Sequence, residues 1–193
     1  MPTVAEAADA AGVSRRTAYR YFPTQAKLLT ESALEGLRAP MEEALAKVPA
    51  RSEGRDVESR VEVLIVEMQA MAIRHESLLR TMIYQTVLER APAGQPRRGT
   101  RRIDWIESAV GPLRDRINAK AYARLVSGLA LCGGIEALLV LRDIRGLSGT
   151  DAIDVSRWAA RALLRQTLQD VVSRARRSDK RAPATARSTG RAR

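Results

Sequence analysis

The sequence predicts an all-α protein, and three observations carry that expectation. Ala, Leu, Arg and Glu dominate, aromatic residues make up only 4%, and Val-Ile-Thr alternation is scarce, which favours helices over sheets. Apolar residues recur at helical spacings of three and four, and helix start signals stand where those runs begin. With 193 residues, 45% of them hydrophobic, the chain is long enough to bury a core. The expected plan is a small N-terminal domain over 1–39, a larger helical domain over 40–173 and a disordered basic tail over 174–193.

Thr3-Val4-Ala5-Glu6 has the form of a capping box, in which a hydroxyl and a carboxylate satisfy the unpaired amides of a helix start. Val4, Ala7, Ala8 and Ala11 follow on one face, and Gly12 supplies the left-handed residue that ends the first helix. Ser14 caps a second helix from Arg15 to about Tyr21, which Pro23 closes. A third starts after Thr24 and runs to about Arg38, because Pro40 disfavours helical backbone in the residue before it. Val48 to Asp56, with Pro49, Ser52 and Gly54, reads as a loop.

From Asp56 to about His75, two apolar stripes (Val61, Leu64, Ile65, Met68, Ala72 and Val63, Val66, Ala70, Ile73) leave only Arg60, Glu67 and Arg74 as a continuous polar line. This helix should be buried on most sides. Further helices are expected at Glu76–Glu89 and Arg101–Ile117, the latter kinked or split at Gly111-Pro112, with a loop from Ala91 to Thr100 between them. Two long helices, about Ala119–Arg142 and Thr150–Ala175, complete the plan. They are joined by Gly146-Leu147-Ser148-Gly149, and Ser148 to Asp151 repeats the capping pattern.

The net charge is +11, but it is uneven. Arg174, Arg176, Arg177, Lys180, Arg181, Arg187, Arg191 and Arg193 stand against Asp179 alone, so seven of those charges belong to the tail. The total is therefore a weaker argument for nucleic acid than its size suggests. Cys132 is the only cysteine, which excludes an intramolecular disulfide. With no secretory signal read at the start, a cytoplasmic location is expected. The longest apolar run, Leu125 to Leu141, contains Glu136 and is shorter than the roughly 20 residues of a membrane span.

A short helix, a tight glycine turn and a second short helix with basic residues at its start suit a unit that lays its second helix in the major groove of DNA. The run from Thr3 to Leu29 closely resembles the DNA-binding domain of the TetR family. The likeness rests on Ala8, Ala11-Gly12-Val13-Ser14, Thr17, Tyr19, Phe22-Pro23 and Leu28-Leu29. The rest of the chain shares only the family's helical layout. The family carries a helix ahead of the position of Thr3, where only Met1 and Pro2 stand here, which the resemblance implies reflects a shortened or misassigned start. It also places Lys at the position of Gln25, and Lys27 lies about 200° around the helix from there.

Side-chain chemistry assigns the roles. Ala8, Val13, Ala18 and Phe22 form the small core that sets the angle between the helices. Arg15 and Arg16 stand where a guanidinium can fork onto guanine O6 and N7. Thr17, Tyr19 and Tyr21 offer hydroxyls to phosphate, Arg20 reaches phosphate or base, and Thr3 presents a hydroxyl and a helix start to phosphate. Lys27 completes the expected DNA-binding set.

Enzyme chemistry is not expected. His75 is the sole histidine, and no second His follows His75-Glu76 as a zinc-protease helix requires. No phosphate-binding glycine loop, paired Cys ligands or Ser-His arrangement is present, so neither a metal nor a cofactor is expected. Met68, Met71, Met82 and Trp105 are candidates to line a ligand cavity or simply to pack the core. The resemblance implies a pocket in the middle helices, with His75, Tyr84 and Gln85 as the nearest polar groups. Gly128, Gly133, Gly134, Ala159 and Ala162 among larger apolar residues suit close helix contacts. The resemblance implies a four-helix homodimer interface built from the last two helices, so Gly133→Leu should disrupt association before folding; the alternative is that these helices close a monomeric core. The function expected is a homodimeric transcriptional regulator, a repressor released from a double-stranded DNA operator by a small-molecule effector. The alternative is a helical ligand-binding dimer without specific DNA binding.

Overall fold

A computed structural model describes residues 2–47, 55–88 and 100–181. Every regular element among them is helical, as the composition predicts. The helices are α1 (Val4–Ala10), α2 (Arg15–Tyr21), α3 (Gln25–Glu35), α4 (Arg38–Ala46), α5 (Arg55–Arg74), α6 (Glu76–Leu88), α7 (Arg101–Val110), α8 (Ala119–Cys132), α9 (Ile135–Leu139) and α10 (Gly149–Arg181). A 3-10 turn at Gly111–Leu113 follows α7, and a π-turn at Val140–Ile144 follows α9.

The helix starts are held by the caps the sequence announces. Thr3 Oγ1 accepts from the Glu6 amide at 3.2 Å and Glu6 Oε2 accepts from the Thr3 amide at 2.7 Å, closing both halves of the box. Ser14, Thr24 and Ser148 accept from the amides of Thr17, Lys27 and Asp151. Each such cap contributes about 1 kcal/mol. Gly12, at φ 67°, turns the chain between α1 and α2.

Four elements differ from the sequence reading. The third helix stops at Glu35, and α4 begins at Arg38, so the boundary expected after position 39 falls inside a helix. Pro40 is the third residue of α4, in the first turn, where its missing N–H deprives no carbonyl of a partner. The segment after Gly111 does not resume as a helix to Ile117. The helix expected over 119–142 breaks at Gly133-Gly134, where Gly134 has φ 91°, and the segments on either side are bent by 47°. Finally, α10 runs to Arg181 rather than giving way to a disordered tail after 173. An established helix extends through good helix formers without paying nucleation again, and basic residues suit its C-terminal end. The tail beyond 181, and positions 48–54 and 91–99 of the loops expected at 48–56 and 91–100, lie outside the described residues, while Arg55 and Asp56 already belong to α5.

α5 is the centre of the bundle. Val57, Val61, Leu64, Ile65, Met68 and Ala72 are buried on α5, which packs against α4, α7, α9 and α10, and burying each large aliphatic side chain contributes about 1.5–3 kcal/mol. One buried polar side chain shapes the break in α8. Gln69 is fully buried, its Nε2 donating to Ser156 Oγ at 2.6 Å and its Oε1 accepting from the Gly134 amide at 3.2 Å. It thus satisfies a backbone group freed by the interruption and ties α5 to α10. No single helix among the described residues is long and apolar enough to cross a membrane.

Candidate functional site

α1 and α2 are joined by four residues, Ala11 to Ser14. Val4, Ala8 and Ala18 form their buried core, with Phe22 and Leu28 packed against it, while Val13 is exposed at 45% rather than part of it. Arg16, Tyr19 and Arg20, at i, i+3 and i+4, share one exposed face of α2. Tyr21 is exposed beside them; Arg20 lies 4.9 Å over its ring and donates to its hydroxyl at 3.1 Å. Arg15 does not reach outward freely: its guanidinium forks onto Asp9 of α1 at 2.7 and 3.2 Å. This contact depresses the Asp9 pKa. Two expected hydroxyls are also engaged, Thr17 with Ser14 and Thr3 with Glu6. Lys27 is half-buried on α3, and Gln25 reaches back to donate to the Pro2 carbonyl at 2.9 Å.

A cavity of about 330 Å³ opens between α3, α5, α6, α7 and the α8–α9 break. Met68, Met71, Met82 and Trp105 line it together with Leu34, Leu37, Leu79, Ile103, Ala130, Gly134 and Ile135. His75, Tyr84 and Gln85 do not, which corrects the expected polar set. His75 closes α5 and faces a cleft of about 60 Å³ with Leu37, Pro40 and Met41. Tyr84 is 66% exposed on the outside of α6, and Gln85 lies one turn beyond Met82.

The polar part of the cavity is instead Arg101 and Arg102. Their signal in the sequence is a pair of arginines three and four residues ahead of Trp105, on the same face of α7. Arg101 donates to Glu31 and Glu35 of α3 at 2.9 and 3.1 Å. Glu35 is held below the usual carboxylate range chiefly by Arg38, with Arg101 adding to the effect. Arg102 donates to Glu136 and to the Ala130 carbonyl. A Cβ at Gly134 would lie 2.8 Å from Arg102 Nη2, so a glycine at that left-handed position is what lets the guanidinium pack on the backbone.

Gly133 is buried against α5, where an added Cβ would meet Met68 at 3.2 Å and Ile65 at 3.4 Å. It serves the fold of one chain, and Leu there would overpack the core before it could disturb association, the reverse of the sequence expectation. The apolar surface lies elsewhere on the same helices. Leu131 is 79% exposed and Trp158 71%, with Val140, Ile144, Val155 and Leu163 also exposed. Leu131, Val140 and Val155 meet around one depression with Ala159. The other side of α10 is bound to α5 by Arg157, Arg161 and Arg165 on Glu58 and Glu62. Cys132 is buried, its thiol donating to the Gly128 carbonyl and its pKa pushed up by burial. Comparison with protein-family models, curated proteins and solved structures found no match to this chain.

Proposed function

We propose that this chain is a DNA-binding transcriptional regulator, a repressor of the TetR type, acting as a homodimer and released from its operator by a small molecule. The observation that carries the reading is the division of labour in the α1–α2 pair. Its apolar residues face inward, while Arg16, Tyr19, Arg20 and Tyr21 present cationic and hydroxyl groups on the exposed side of α2. Such a face suits the major groove, with Arg16 for a base edge and the tyrosines for phosphate. The exposed apolar surface of α8 and α10 supports a second copy, since large contiguous apolar patches mark interaction surfaces. A two-fold dimer sets its reading helices about 34–36 Å apart, matching half-sites one helical turn apart.

The test is a binding-site selection on the full chain and on Arg16→Ala and Tyr19→Phe. The expected outcome is a two-fold symmetric site, a loss of about 1–3 kcal/mol for Arg16→Ala with relaxed preference at one position per half-site, and a uniform weakening for Tyr19→Phe. Folded dimers that select no sequence would replace this reading with a ligand-binding dimer.

A further inference from the structure

We infer that the cavity takes a small amphipathic carboxylate, and that its head competes with Glu31 and Glu35 for Arg101. The inference deepens the effector part of the regulator reading; the ligand class itself stands on the cavity alone. The wall is apolar, with Leu34, Met68, Met71, Leu79, Met82 and Ile135, except where Arg101 and Arg102 line it side by side. The glutamates that pair with them are not part of the lining. Glu31 and Glu35 hold Arg101 from α3, and Glu136 holds Arg102 from α9. Among the described residues, the lining therefore includes two arginines and no acidic side chain, and a carboxylate head gains its bonds by displacing a glutamate from a guanidinium. An ammonium head would face two like charges there, and an uncharged head would forgo the charge-assisted bonds that a carboxylate makes in a fork.

Size narrows the class. At roughly the 30 Å³ that a water molecule occupies in the liquid, the cavity holds on the order of ten non-hydrogen atoms. Octanoate fits that size. Arg102 is pinned by Gly134, the Ala130 carbonyl and Glu136, and forms the fixed half of the head site. Arg101 is the half that couples. It is 18% exposed and Glu31 27%, so their bond is partly withdrawn from water. A carboxylate on Arg101 draws it from α3, the helix that follows the α1–α2 pair. Linkage requires the converse: weakening the grip of α3 on Arg101 strengthens carboxylate binding by the same factor.

Calorimetric titration of the full chain with sodium octanoate, 1-octanol and octylammonium chloride tests this. Octanoate is expected to bind at least about ten-fold more tightly than octanol, with octylammonium weaker than both. The double variant Arg101→Gln/Arg102→Gln should lose about ten-fold for octanoate and much less for octanol, with retained octanol binding showing that the cavity is still folded. Glu31→Gln/Glu35→Gln should tighten octanoate several-fold. Equal affinity for octanoate and octanol, or an octanoate affinity indifferent to the arginines, overturns the ligand class. No gain from the glutamine pair overturns the competition. None of these readouts uses DNA, so a chain that selects no operator yet binds octanoate as described fails only as a regulator.

Discussion

The α1–α2 pair is closed by Val4, Ala8 and Ala18, two of them alanines, whereas the bundle around α5 is closed by Leu64, Ile65, Met68, Ile106, Leu125, Leu129 and Leu164. The pair is correspondingly held by bonds local in sequence: the Thr3–Glu6 box, the Ser14 cap and the Arg15–Asp9 fork span three to six residues. The bundle is held by contacts between distant segments, such as Gln69 with Ser156, 87 residues apart. On the proposed reading, the difference separates two kinds of functional surface. A recognition face can be carried by small, locally capped helices, because its working side chains point into solvent. A ligand cavity needs a rigid surround and arises where long-range packing leaves a gap.

The largest effect should come from the bundle. Leu64 is fully buried on α5, and Leu64→Ala should cost about 2–5 kcal/mol through lost transfer energy and the cavity left behind. Urea unfolding followed by circular dichroism measures it. A loss confined to a small fraction of the helical signal, with the bundle intact, would break the comparison.

A cap in the pair should act more weakly and locally. Ser14→Ala removes the acceptor for the Thr17 amide and should cost about 1 kcal/mol, within the usual range for N-caps. Hydrogen exchange should quicken at the amides of α2 while those of α5 keep their wild-type rates. Equal acceleration in both would mean that the two regions unfold as one unit.

The same contrast explains what was legible in the sequence. The limits of α1 and α2 follow from Thr3, Glu6, Gly12 and Ser14, whose effects reach only one turn, so a linear reading finds them. So does the apolar face of α5, because burial imprints a helical period. The break at Gly133-Gly134 was not legible, since two small residues in an apolar run suit close helix packing equally well. What decides the matter is Gln69, a single polar residue 65 positions earlier that accepts from the Gly134 amide. The cavity was half legible for the same reason. Met68, Met71, Met82 and Trp105 suit apolar lining and plain core packing alike, and the choice of Arg101 and Arg102 over His75, Tyr84 and Gln85 depends on how α6 and α7 are rotated in the bundle. Pro40 misled because its effect depends on position within a helix: a breaker in the interior, it is tolerated in the first turn.

The smallest effect concerns acid. Glu6 accepts from the Thr3 amide at 2.7 Å and the Thr3 hydroxyl at 2.9 Å, and these bonds, the amide first, hold its carboxyl below the usual range. A carboxyl whose pKa is lower folded than unfolded supports the fold above its unfolded pKa, and that support is lost as the pH falls through the folded pKa. Acidification below the ordinary carboxylate range should therefore loosen the start of α1. The Asp9–Arg15 fork weakens in the same direction, because the Asp9 pKa is also depressed. Amide chemical shifts of Glu6 and Ala7 against pH give the measurement, with Glu6→Gln as the control. A glutamine side-chain carbonyl still accepts from the Thr3 amide but does not titrate, so the variant should retain only the Asp9 part of the transition. Identical pH courses in the two proteins would show that the charge on Glu6 does not hold the helix start.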